Sequence, residues 1–135
     1  MSSQAKGSFD VQLGPLKTYN DDAGTSLARM SIDKQFHGDL EAVSKGEMLS
    51  AMGTVKGSAG YVAIERVSGT LHGRRGSFTL QHNATMTRGE PCLNIIVVPD
   101  SATDDLLGLS GKMTIIIADG KHSYEFEYTL ADHTQ

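Results

Sequence analysis

The chain has 135 residues, a net charge of −4, 15 glycines, three prolines, one cysteine and no tryptophan. That length predicts one domain, residues 1–135, with a core large enough to need neither disulfides nor a metal. The acidic balance argues against a nucleic-acid partner, and no run of about 18 apolar residues offers a membrane span. A lone Cys92 and a polar N-terminus lead us to expect a cytoplasmic protein.

Taken in chain order, strands fill most of the sequence. Phe9, Val11 and Leu13 alternate in a first strand, which Gly14-Pro15 should end. Residues 15–26 hold Pro15, Asn20-Asp21-Asp22 and Gly24 and read as an exposed loop. A second strand spans 28–36, and His37-Gly38-Asp39 turns it into a third over 40–52, where Gly46 marks a bulge or sharp bend. Strands near 60–71, 76–87 and 92–98 follow, and Pro99 closes the last of them. Ser101-Ala-Thr-Asp104 resembles a capping box that opens a short helical turn over 101–108. Residues 113–118 and 123–130 form a final hairpin around Asp119-Gly120-Lys121. One face of that hairpin carries Met113, Ile115, Ile117, Tyr124, Phe126 and Tyr128, and the tail from Ala131 is expected to fray.

The hairpins between Glu47 and Val98 fix which side chains share a face. An even loop pairs odd positions with even ones, so each loop assigns whole sets to one side of the sheet. A turn at Lys56-Gly57 sets Met52 opposite Tyr61, Ser50 opposite Ala63 and Met48 opposite Glu65, and on the outside it sets Arg66 opposite Glu47. A turn at Arg88-Gly89 sets Met86 opposite Pro91, Ala84 opposite Leu93, His82 opposite Ile95 and Leu80 opposite Val97. Between them, a turn at Gly73-Arg74 opposes Glu65 to His82 directly, and one at Arg74-Arg75 makes them diagonal neighbours. Either way one face carries Met48, Ser50, Met52, Tyr61, Ala63, Val67, Leu80, Ala84, Met86, Leu93, Ile95 and Val97, together with two ionisable groups, Glu65 and His82. About eight strands joined by short hairpins predict an all-β fold: a single antiparallel up-and-down β-barrel, closed so that no edge is exposed.

Residues 61–82, from Tyr61-Val-Ala-Ile-Glu65-Arg66 through Gly73-Arg-Arg-Gly76 to Gln81-His82, resemble the signature of the bacterial domain of unknown function 3224 family. Phe36-His-Gly38-Asp39-Leu40-Glu41 and Leu107-Gly108-Leu109-Ser110-Gly111 fit it too, and the likeness extends over about residues 7–130. The resemblance implies a barrel of the allene-oxide-cyclase-like superfamily. It implies no reaction, and none of that superfamily's site residues match positions here. Lipocalins and avidins share the barrel shape, but their ligand sites lean on tryptophan, absent from this chain.

A carboxylate on an apolar face costs several kcal/mol unless it is paired, bonded or protonated. Glu65 therefore needs a partner, for which a tyrosine, Ser50 or His82 are in reach. Two readings stand side by side: a satisfied internal hydrogen bond, or the polar spot of a ligand site. Three functions follow. The barrel binds a small, mostly apolar ligand through Met48, Ser50, Met52, Tyr61, Glu65, His82 and Met86. It is an isomerase or cyclase for a flexible small molecule, with Glu65 and His82 as the acid–base candidates. Or it is a self-associating scaffold with a filled core. The hydroxyls of Tyr61, Tyr124 and Tyr128 are further candidates for the lumen, against rim packing. No metal-ligand spacing or phosphate loop is present, and no cofactor is expected. On the outer face Leu49, Ala51, Val62 and Ile64 form an apolar patch. It predicts a homo-oligomer contact through Leu49, Val62 and Ile64, unless residues 15–26 or the N-terminal segment cover it.

Overall fold

The computed structural model describes residues 2–17 and 26–130. Eight strands close in sequence order into one antiparallel barrel: β1 (Ser3–Leu16), β2 (Ser26–Gly38), β3 (Leu40–Met52), β4 (Ala59–Leu71), β5 (Arg74–Thr87), β6 (Glu90–Val97), β7 (Ser110–Ala118) and β8 (Lys121–Thr129). The up-and-down barrel expected from the sequence is therefore the fold.

Three hairpins turn on two residues with positive φ, the second a glycine. These are His72-Gly73 (47° and 80°), Arg88-Gly89 (47° and 92°) and Asp119-Gly120 (53° and 74°). Two left-handed residues in succession match the right-handed twist of the flanking strands. The β5–β6 register is the one expected, with His82 opposite Ile95 and Leu80 opposite Val97.

The β4–β5 turn falls at His72-Gly73, not at either position expected, so Glu65 lies opposite Leu80 and diagonal to His82. Tertiary bonds hold that turn: the His72 amide donates to the Asp39 carbonyl (2.8 Å), and its Nδ1 lies 2.5 Å from the Tyr128 hydroxyl. The β3–β4 register is two residues from expectation. Met52 opposes Ala59, Ser50 opposes Tyr61 and Met48 opposes Ala63. The tight turn still falls on Lys56-Gly57, since the Ser58 amide donates to the Val55 carbonyl. However, the loop leans on its neighbour: the Gly89 amide donates to the Gly57 carbonyl and the Arg88 amide to Ser58 Oγ. An even shift leaves both faces unchanged, but it moves Arg66 opposite Lys45 and Glu47 opposite Ile64. Glu47 pairs instead with Arg29 on β2.

Other expectations are corrected at strand ends. β1 runs through Gly14-Pro15 to Leu16. Proline is tolerated there because β8 pairs β1 only from Ser3 to Ser8, leaving one edge of β1 free. Of the expected loop, residues 18–25 lie outside the described residues, as does the tail from Ala131. Gly46 makes no bulge: the ladders on both sides run through it unbroken. Its reason is close approach, since a Cβ there would meet the Ile64 carbonyl oxygen at 2.0 Å and Glu65 Cα at 2.6 Å. The helical piece is one 3-10 turn, Asp104–Leu106, and Thr103 precedes it with no side-chain cap bond. The Ser101 and Thr103 hydroxyls accept from the amides of Thr79 and Ser77 on β5 instead.

The two ends of the barrel differ. One end is filled. Phe36, Leu40, Val67, Leu71, Phe78, Tyr124 and Phe126 are buried there, and residues 98–109 fold across it with Ala102, Leu106 and Leu109 in the core. At the other end, inward-register side chains stay exposed: Leu13 by 51%, Met52 by 61%, Met86 by 43%, Leu93 by 39% and Ile117 by 67%. The wall is thinnest beside this mouth, where β6 and β7 pair only at Ile96 and Lys112.

Candidate functional site

Strand alternation lays the inward residues in rows across β2–β6. From the filled end toward the mouth they run Lys34–Ser44–Val67–Phe78, Ile32–Gly46–Glu65–Leu80–Val97, Met30–Met48–Ala63–His82–Ile95 and Ala28–Ser50–Tyr61–Ala84–Leu93. The rows meet at Glu65, whose side chain is fully buried. Its Oε2 accepts from Lys34 Nζ at 2.8 Å and His82 Nε2 at 2.5 Å, and its Oε1 accepts from Ser44 Oγ at 2.6 Å. Gly46, directly opposite Glu65, supplies the room for these partners by lacking a side chain.

Burial alone would raise the Glu65 pKa. Hydrogen bonds from His82, Lys34 and Ser44, with the Lys34 charge, outweigh it and lower the value from 4.5 to about 2. The carboxylate is thus ionised and accepts only, so His82 carries its proton on Nε2. Lys34 Nζ also lies over the rings of Phe9 and Phe36, 5.2 and 5.7 Å from their centroids, which steadies a buried ammonium. His82 Nδ1 is buried without a partner among the described residues. In the neutral ring it is an unused acceptor.

The site therefore contains the expected pair, Glu65 and His82, and two residues that sequence reasoning missed, Lys34 and Ser44. Lys34 had left a signal: it shares parity with Ile32 and Phe36 in a strand whose alternate positions face inward. Ser50 is not the partner of Glu65; it sits two rows nearer the mouth, opposite Tyr61. Tyr61 is half-buried, its ring 6.3 Å from that of His82, and burial with the Glu65 charge raises its phenol pKa. Met48 and Ser50 are half-buried, while Met52 and Met86 are exposed at the mouth. Tyr124 and Tyr128 do not join them. They belong to the filled end, where Tyr124 binds the backbone of His37 and Leu40 and Tyr128 binds His72.

Among the described residues no group of three or more His, Cys, Asp or Glu side chains could hold a metal ion, and no helix is long and apolar enough to cross a membrane. A comparison with curated proteins finds no match. Among solved structures, a protein of unknown function from Shewanella oneidensis MR-1, assigned to the DUF3224 family, is 51% identical, with a TM-score of 0.95 over 98% of this chain and 99% of that one. The family described as "Protein of unknown function (DUF3224)" matches residues 5–128, and the chain belongs to it.

Proposed function

We propose that the open half of the barrel binds a small, uncharged, mostly apolar molecule, with the Lys34–Glu65–His82 layer as its floor. One observation carries this reading: Met52, Met86, Leu93 and Ile117 lie in the inward register yet remain exposed beyond a Lys34–Glu65 pair whose charges satisfy each other. Apolar side chains left open to water at the end of a barrel gain by covering, and methionine adapts to irregular shapes. Lys34 and Glu65 cancel each other, so an anionic ligand meets Glu65 and a cationic one meets Lys34 with no free counter-charge. The opposed hydroxyls of Ser50 and Tyr61 suit a single neutral polar group. An allene-oxide-cyclase-like barrel, the likeness seen in the sequence, would serve in the same way, although shape alone carries little weight for function. A free, exposed Cys92 accords with a reducing, cytoplasmic setting.

The test is titration with the neutral fluorophore N-phenyl-1-naphthylamine. Saturable binding, lost in Ser50→Trp and kept in Val62→Asp on the outer wall, is the expected result. No saturable binding, or binding that survives Ser50→Trp, overturns it.

One feature favours a second, catalytic reading. A carboxylate that holds Nε2–H leaves Nδ1 free to take a proton and stabilises the imidazolium formed. His82 would then move a proton between two positions of a bound carbonyl compound, an isomerisation in which the proton taken is returned. With 2-tetralone in deuterated water, this reading expects deuterium to enter beside the carbonyl faster than without protein, and His82→Gln to abolish the gain. An unchanged exchange rate removes it.

A further inference from the structure

The outer wall of β2–β5 carries an apolar strip that the described chain leaves uncovered. Three outward rows lie side by side: Leu27–Ala51–Gly60–Thr85, Arg29–Leu49–Val62–Asn83 and Ser31–Glu47–Ile64–Gln81. Leu49, Val62 and Ile64 are 52%, 51% and 50% exposed. Two shallow depressions of about 500 and 520 Å³ adjoin over them and share Arg29, Leu49, Val62 and Asn83. The N-terminal segment does not cover the strip, because β1 is itself a strand of the barrel wall, closing against β8.

The charges on this wall say what fits it. The two charged residues lining the depressions are Arg29 and Glu47, joined at 2.7 Å and partly exposed. The strip is therefore neutral overall while carrying both signs, on a chain of net charge −4. The next outward row, Asp33–Lys45–Arg66–Thr79, adds a net charge of only +1, too little to hold a strongly charged partner. A second copy brings the same pair in reverse order: a twofold axis across the strands sets Arg29 of one copy beside Glu47 of the other. The amides of Gln81 and Asn83 border the opposite side and can bond at a rim. An apolar centre with a polar, self-complementary border is the anatomy of a twofold interface.

We propose that this wall packs face to face against the same wall of a second copy. Leu49, Val62 and Ile64 form the buried centre, and Arg29 and Glu47 exchange partners across the axis. The contact is sheet on sheet, with the two walls about 10 Å apart. It lies on the outside of the strands that carry the Glu65 site, so it stands independently of ligand binding in the mouth.

Light scattering coupled to gel filtration at roughly 10 and 100 µM tests it, a range in which a dissociation constant of micromolar order shifts the mass visibly. The wild type is expected to approach twice the monomer mass at the higher concentration. Val62→Asp buries an unpaired charge and should weaken association at least about tenfold, with circular dichroism and melting as fold controls. Leu49→Ser serves the same purpose if that variant does not fold. Arg29→Glu and Glu47→Arg should each weaken association, and the double variant should restore it. A wild type that stays monomeric at 100 µM overturns the proposal, as does a dimer that survives Val62→Asp or a double variant no better than the singles.

Discussion

Lys34 and Glu65 hold opposite charges in a place where neither could stay alone. Removing water from an unpaired ion costs several kcal/mol, and one buried partner offsets the other only while both remain. Glu65→Gln leaves the Lys34 ammonium with neutral acceptors, and we expect a loss of about 3–5 kcal/mol in urea denaturation. The double variant Lys34→Met with Glu65→Leu should lie closer to wild type than Glu65→Gln does. The same pair sets an acid limit. Because folding lowers the Glu65 pKa from 4.5 to about 2, its contribution is full above the unfolded value and is lost as pH falls from about 5 toward 2. That contribution is on the order of 3 kcal/mol, and the urea midpoint of Glu65→Gln should be flatter across that window.

At the scale of elements, face and register have different origins. Each inward set was legible because alternation has a period of two and every loop shift was even. The pairing partners were legible only at the β5–β6 hairpin. Arg88-Gly89 is a two-residue turn, and its whole ladder follows from it. His72-Gly73 is drawn into place by Asp39 and Tyr128, and the loop after Met52 leans on Gly89. Such contacts join residues far apart in sequence, and no local pattern announces them. At the filled end burial follows the face: Leu80 and Ile95, placed on the inner face by the hairpins, are buried, and Phe78 and Phe126 are buried with them. Phe78 stacks on Phe126 with ring centroids 5.7 Å apart. Phe78→Ala should cost about 3–5 kcal/mol in chemical denaturation, and a loss below about 1 kcal/mol would contradict that packing.

Over the whole molecule, the barrel is firm at one end and open at the other. Residues 98–109 plug the filled end, while the mouth adjoins the single pair that links β6 to β7. Local opening should begin where hydrogen bonds are fewest. Amides of β6 and β7 that face each other should therefore exchange with deuterium at least about tenfold faster than those between β3 and β4, whose ladder runs from Leu40↔Leu71 to Met52↔Ala59. A neutral molecule seated in the mouth should slow the exchange on this side and leave the filled end unchanged. Equal protection on both ladders would show that the seam is closed in solution.

The sequence by itself determined the barrel class, the strands, the two faces and the presence of Glu65 and His82 on the inner one. All of these follow from local rules: two-residue periodicity, the turn residues that allow positive φ, and the need of a closed sheet to hide its edges. Only the tertiary structure decided that Lys34 and Ser44 complete the Glu65 layer, that one half of the lumen is packed, and that Tyr124 and Tyr128 serve the filled end. These depend on how far each strand slides past its neighbour and on where the sheet closes. Depth along a barrel is a sum over all eight ladders, and a displacement of two residues in one of them changes which side chains meet without changing any strand's own pattern.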